Sequence, residues 1–349
     1  SDLCPQVEYF DNLLMSGPWG DNIQRPVKAI KEYCAAKPGG SWVYDYVQAG
    51  EDEVSYAYPS ILSMQYTVLH NPSRSLYLAS YSEGPETITF HAASTGKTSL
   101  ALSIGHHPFL GNGYACSPSG APAGPVIAPQ LQDSTWTSPT CSFALLAGDW
   151  HVAADLYASH MRPAFPASTP PAWMRADETG WNGWIGLLMR FEGEAPLLRY
   201  EDLPPLYEKL RSSGLTTLQV AGWLNNGHDT RYPDFYHDPV LGTEEDLKDA
   251  ISRIHDMGGR VILYTNSRLV DPASDFFKQG GNACVCLKED GTPYVETYNT
   301  SASFQIACPS CKAYRDHFQD QLYRLIKLYG ADAIQMDQIS CNLAVFCHD

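Results

Sequence analysis

The chain has 349 residues, a formal net charge of −16, 44% hydrophobic residues and 18% charged ones. That balance is globular rather than disordered, and the length points to two domains. So acidic a surface repels phosphate backbones, which argues against nucleic acid as a partner. No apolar run approaches the roughly 18 residues of a bilayer-spanning helix, so no membrane segment is expected.

The first residues, Ser1-Asp2-Leu3-Cys4-Pro5, contain no Met, no basic stretch and no apolar stretch. They read as a processed end or an internal boundary. The compartment stays open, with the cytoplasm favoured over secretion. Residues 1–165 read as an antiparallel β-sandwich with a terminal helix. Ser75-Leu76-Tyr77-Leu78-Ala79-Ser80-Tyr81, Thr87-Ile88-Thr89-Phe90 and Thr98 to Ile104 alternate at period two. Turn clusters such as Gly120-Ala121-Pro122-Ala123-Gly124-Pro125 separate the strands. Asp149 reads as a helix cap, with Trp150, Ala153, Ala154, Tyr157 and Met161 on one face. Residues 166–177 read as a Pro-rich linker.

From 178 to 349 the pattern changes to alternating β and α, which implies a parallel sheet. The first strand is predicted at Gly183 to Leu188. A helix through Leu203, Leu206, Tyr207 and Leu210 follows and stops at Gly214. The second strand is Thr217 to Trp223. The next helix opens at Thr243, with Asp246 three residues on as in a capping box. The third strand is Arg260 to Thr265, and a helix over about 311–329 leads to the fourth, Ala333 to Met336. This is the pattern of a (β/α)8 TIM barrel, of which about the first four β/α units are present.

In such a barrel the strand ends carry the chemistry. Asp337 follows directly on the fourth strand and is the catalytic candidate. The second strand delivers Trp223, Asn225, Asp229 and, further on, Asp234. The third delivers Asn266 and Arg268, and the fourth also delivers Gln338. Short acceptors and donors beside a flat apolar ring suit a carbohydrate, so these are the substrate-binding candidates. Trp223, Asn266, Arg268 and Asp337 are expected around one pocket. Each also has a structural reading: Trp223 could close the barrel top, Asn266 and Arg268 could be a hydrogen-bonding pair, and Asp229 and Asp234 could be turn residues. Among ten cysteines, Cys284, Cys286, Cys308 and Cys311 could supply four zinc thiolates or stay free. No cofactor and no metal is expected.

The runs Leu218 to Trp223, Gly258 to Asn266 and Tyr329 to Asp337, with Asp234 between the first two, resemble the catalytic barrels of the α-galactosidase clan of glycoside hydrolases. They also resemble the related endo-α-N-acetylgalactosaminidases and uncharacterised bacterial relatives. Tyr58-Pro59, Met64-Gln65-Tyr66 and the Gly148-Asp149-Trp150 helix resemble the β-sandwich preceding those barrels. The resemblance implies a retaining glycosidase for α-linked sugars in which Asp337 is the nucleophile. It places the acid/base on the sixth strand, whereas the sequence reaches Asp349 before a fifth strand. The proton donor is therefore expected in the missing half of the barrel. That half, or another chain, is expected to cover the open sheet edge. The alternative is a non-catalytic carbohydrate-binding or scaffold protein derived from a glycosidase.

Overall fold

The structure is a computed structural model. It describes residues 12–15, 21–24, 48–49, 53–58, 62–84, 87–94, 100–107, 137–166, 168–175, 183–298, 300–339 and 345. The chain divides into two compact units, one within residues 1–168 and one within 169–339. The predicted strand residues Thr98 and Ser99 and the turn cluster 120–125 lie outside the described residues.

In the first unit the strands are Asn12–Met15 (β1), Asp21–Gln24 (β2), Gln48–Ala49 (β3), Glu53–Tyr58 (β4), Tyr66–Asn71 (β5), Arg74–Ser80 (β6), Thr87–Ser94 (β7), Leu100–His107 (β8) and Cys141–Ala147 (β9). They form two antiparallel sheets, ordered β2-β1-β5-β6-β9 and β3-β4-β7-β8. Leu13, Leu69 and Leu76 of one sheet share a core with Val54, Tyr56, Ile88, Phe90, Ala92 and Leu100 of the other. Burial of alternate side chains from both sheets is what makes this a sandwich. Helix α1, Trp150–Met161, covers the outer face of the larger sheet. Asp149 caps it by accepting from the His151 N–H at 3.1 Å, and Ala153 and Tyr157 are its buried residues. The Tyr157 hydroxyl accepts from the Gln65 N–H at 3.0 Å, which satisfies a polar tip on an otherwise apolar face.

The second unit is built on Gly183–Leu188 (β10), Leu203–Arg211 (α2), Leu215–Ala221 (β11), Glu244–Asp256 (α3), Arg260–Asn266 (β12), Leu269–Val270 (β13), Asp275–Lys278 (α4), Val295–Thr297 (β14), Ser303–Ile306 (β15), Lys312–Lys327 (α5) and Ala333–Asp337 (β16). Strands β10-β11-β12-β16 form one parallel sheet in that order. The capping box at α3 is complete: Thr243 accepts from the Asp246 N–H at 3.1 Å, and Asp246 accepts from the Thr243 N–H at 2.7 Å. Leu218, Val220, Val261 and Leu263 bury one face of the sheet against Leu203, Tyr207, Leu247, Ala250, Ile251 and Ile254 of the helices.

The other sheet face is different. The register puts Trp184, Gly186, Gln219, Ile262 and Gln335 on it, and the Gln219 amide donates to Gln335. A Cβ on Gly186 would meet the Gln219 side chain. Trp184 is 61% exposed and Gln335 is exposed. Parallel strands are normally covered on both faces, whereas among the described residues the part of this face around Trp184 and Gln335 is left uncovered.

Sequence reading missed the elements between β12 and α5, three strands and the short helix α4. Strands β13-β15-β14 form a small antiparallel sheet between β12 and α5. A disulfide joins Cys284 to Cys311 beside it. Two of the four candidate thiolates, Cys284 and Cys311, are thus bonded to each other, while Cys286 and Cys308 are free thiols. Among the described residues, no helix is long and apolar enough to cross a membrane.

Candidate functional site

Asp337 is the last residue of β16, and the start of that strand explains where it lands. Gly330 ends the preceding helical segment at φ 81°, a backbone region that glycine enters freely. Asp332 then accepts from the Val261 N–H at 2.8 Å and from His255 Nε2 at 2.8 Å, while its own N–H donates to the Val261 carbonyl at 2.9 Å. These bonds fix the register of β16 against β12 and set Asp337 opposite Asn266.

Both carboxylate oxygens of Asp337 are held. The Tyr264 hydroxyl donates to Oδ2 at 2.7 Å, and the Gln338 N–H donates to Oδ1 at 2.9 Å. Burial first, then the Asp337 charge, pushes the Tyr264 hydroxyl well above its ordinary value of 10.0. Tyr264 therefore remains a donor at any working pH. Gln338 reaches this geometry by adopting φ 58°. Asn226, Asp229 and Arg231, in the loop after β11, also have positive φ. Non-glycine residues held there mark places where surrounding structure enforces an uncommon backbone.

Further side chains gather beside Asp337. Asn266 is fully buried; its Oδ1 accepts from the Arg268 and Leu269 N–H groups, both at 3.0 Å, and its Nδ2 donates to Gln338 Oε1 at 3.2 Å. Arg268 donates from Nε and Nη2 to Glu296 Oε1 at 3.1 and 2.9 Å. Tyr298 donates to Glu296 Oε2 at 2.8 Å and accepts from Gln338 Nε2 at 2.5 Å. Asp229 accepts from the Tyr232 hydroxyl at 3.1 Å, and its charge also raises the Tyr264 hydroxyl. His228 lies 3.7 Å from Asp229 and tilts its ring against Tyr264 at 4.9 Å.

The structure thus brings Asp337, Gln338, Asn266, Arg268 and Asp229 into one cluster. Three other candidates, Trp223, Asp234 and Asn225, go elsewhere. Trp223 is fully buried, donates from Nε1 to the Tyr264 carbonyl at 3.0 Å and meets Tyr329 edge-on at 5.8 Å. Its ring is core, with no open face for a sugar; Gly222 at φ 63° turns the chain and sends it inward. Asp234 is also buried. It accepts from the Asp275 and Phe276 N–H groups at 2.6 and 3.1 Å and from His317 at 3.0 Å. It caps the short helix α4 and borders a separate cleft of about 280 Å³ with Phe276, Gly281 and His317. Asn225 is exposed on the loop after β11, where its backbone N–H donates to the Tyr236 carbonyl at 2.9 Å.

Sequence reading did not single out Tyr264, Glu192, Glu296 or Tyr298. Tyr264 had a signal, because it stands two residues before Asn266 on the same face of β12. Glu192 ties the rim together across distant segments: it accepts from the Ser301 N–H at 2.6 Å, the Ser301 hydroxyl at 2.7 Å and Asn226 Nδ2 at 3.2 Å. The Ser301 side-chain bond, then its backbone bond, hold the Glu192 carboxyl below its ordinary 4.5. A depressed folded-state value stabilises the fold above the ordinary value and loses that effect as pH falls through the folded one. The melting temperature of the unmodified chain should therefore exceed that of Glu192→Gln by a constant margin above about pH 5, narrowing below about pH 4.5. Calorimetry from pH 7 to pH 3 checks this; a margin unchanged by acid would show that the latch does not depend on the carboxylate.

Comparison with known proteins bears on the fold. The fold is that of the α-galactosidase-like glycosidases. The α-N-acetylgalactosaminidase NagBb of Bifidobacterium bifidum superposes with a TM-score of 0.66 at 13% identity, over 98% of this chain and 51% of that one. An α-galactosidase of Thermus thermophilus, TtGalA, superposes with a TM-score of 0.53 at 13% identity, over 95% of this chain and 56% of that one. A model of the family described as "Domain of unknown function (DUF6259)" matches residues 137–349, and the chain belongs to that family. A Bacteroides thetaiotaomicron protein named "Putative glycoside hydrolase" is 23% identical over 320 residues, 87% of this chain and 42% of its own length. The chain thus spans about half the length of these relatives.

Proposed function

We propose that the protein is a retaining glycosidase acting on α-linked sugars, of which this chain carries the β-sandwich and the first half of the barrel. The carrying observation is the seat of Asp337: last residue of the fourth parallel strand, with Tyr264 and Gln338 each donating to one carboxylate oxygen. A carboxylate fixed at both oxygens keeps one aim, which a nucleophile attacking an anomeric carbon requires. It would form a glycosyl ester; a carboxylic acid about 5–5.5 Å away would first protonate the leaving oxygen, then activate water. That acid is assigned to the second half of the barrel, which would also cover the bare sheet face at Trp184 and Gln335. No cofactor is needed for this chemistry.

A non-catalytic carbohydrate-binding role is the second reading. It is favoured by the carboxylates that neighbour Asp337: Glu296 is committed to Arg268 and Asp229 to Tyr232. NMR of the first sugar product released from an aryl α-galactoside by the full-length protein separates the readings. Release of the α-anomer supports retention. The β-anomer first would mean inversion, and no release of any sugar would favour the binding role.

Tyr264→Phe removes one hydrogen bond to a charged oxygen, an effect of roughly 1.5–3 kcal/mol. Turnover per folded molecule should fall about ten- to a hundredfold, and the melting temperature should fall by roughly 3–12 °C. Unchanged kcat would remove Tyr264 from the positioning of Asp337.

A further inference from the structure

We infer that Tyr298 is the sugar-facing aromatic of this site, taking the place that the buried Trp223 cannot fill. This rests on the glycosidase reading and adds a binding residue to it. Tyr298 follows β14, in the small antiparallel sheet that interrupts the β/α alternation between β12 and α5. Tyr298 is 38% exposed, whereas Trp223 has no exposure.

Position and rigidity both support the assignment. The Tyr298 hydroxyl is bonded to Gln338, the residue next to Asp337, and to Glu296, which Arg268 holds in turn. Its ring lies 6.1 Å from Phe304, and Phe304 stacks on the buried Tyr232 at 5.7 Å. The ring is therefore rooted on the core at one side and tethered at its tip, so its orientation is set before a ligand arrives. Ser301, three residues on, is bonded through its N–H and hydroxyl to Glu192 after β10. The segment bearing Tyr298 is thus tied to the loop after β10 through Glu192 and to the end of β16 through Gln338. An exposed aromatic face, fixed beside hydroxyl-binding polar groups, suits the C–H face of a pyranose. The ligand class is a hexopyranose stacked on Tyr298 with its anomeric carbon toward Asp337.

The test compares Tyr298→Phe, Tyr298→Leu and Tyr298→Ala in the full-length protein. Steady-state hydrolysis of p-nitrophenyl α-D-galactopyranoside gives KM and kcat, and ligand-observed NMR gives Kd for free galactose and N-acetylgalactosamine. Loss of the ring in the Leu and Ala variants should raise KM, and Kd for the sugar that binds, about tenfold, equivalent to ~1.4 kcal/mol, with kcat changed less than about threefold. Phe keeps the face but gives up the tether at its tip, so its KM and Kd should rise clearly less than those of Leu and Ala. Leu preserves apolar packing on Phe304 should Ala fail to fold. Equal losses for Phe and Leu would make the hydroxyl tether, not the ring, the active feature and overturn the inference. Unchanged KM and Kd in Leu would overturn it as well. The Kd arm needs no turnover, so an Asp337→Asn protein that stays active would overturn the nucleophile assignment while leaving Tyr298 to be decided by binding alone.

Discussion

Asp337→Asn in the full-length protein should lower hydrolysis of an aryl α-galactoside by about four orders of magnitude while moving the melting temperature by less than about 3 °C. The expectation of an intact fold follows from the hydrogen bonds. Gln338 N–H needs an acceptor, which the amide oxygen supplies at Oδ1. Tyr264 now donates to Oδ2, but a hydroxyl also accepts, so the amide N–H can bond back to it. Both contacts survive with roles rearranged. The amide cannot form the glycosyl ester, so the covalent step is lost. In an Asp337→Gly protein, which empties the nucleophile's place, azide with an activated substrate should restore part of the turnover. A structural Asp337 would show the reverse, with lower stability and near-normal activity per folded molecule.

Asp234→Ala should behave in that reverse way. The change strips the acceptor from two backbone N–H groups at the start of α4 and from His317. Each buried donor left unsatisfied costs about 1–3 kcal/mol, so a loss of about 3 kcal/mol or more is expected. In a unit of this size that lowers the melting temperature by about 6–12 °C. Activity per folded molecule should stay close to normal, since Asp234 has no bond to the Asp337 cluster. Paired thermal melting and active-site-normalised kinetics check both halves. A stable Asp234→Ala protein with poor substrate affinity would return Asp234 to the sugar site, where its sequence position alone had put it.

The contrast between these two aspartates shows what the sequence can convey. The place of Asp337 was legible because β16 is short and bounded by Gly330, so its end fell within one residue of the predicted Met336. Asn266, Arg268 and Gln338 were legible for the same reason: they follow strands whose ends are locally marked. Asp234 and Trp223 were not, because the loop after β11 is long and its path depends on partners far away, α4 and His317 for one and Tyr264 and Tyr329 for the other. Glu296 and Tyr298 were hidden for a related reason. The pairing of β13 with β15 joins segments more than 30 residues apart, as in Leu269 with Ile306, and no local periodicity announces it. The parallel sheet itself was visible from β/α alternation, and its bare face became visible only once the register put Trp184, Gly186, Gln219 and Gln335 together.

The most direct measurement is covalent trapping of the full-length protein with a fluorinated α-galactosyl donor that forms the glycosyl-enzyme faster than water releases it. Intact mass should rise by one glycosyl group, and peptide mapping should place the label on the carboxylate of Asp337. A label on another carboxylate, or rapid turnover of the donor with no covalent adduct, would contradict the assignment of Asp337 as nucleophile.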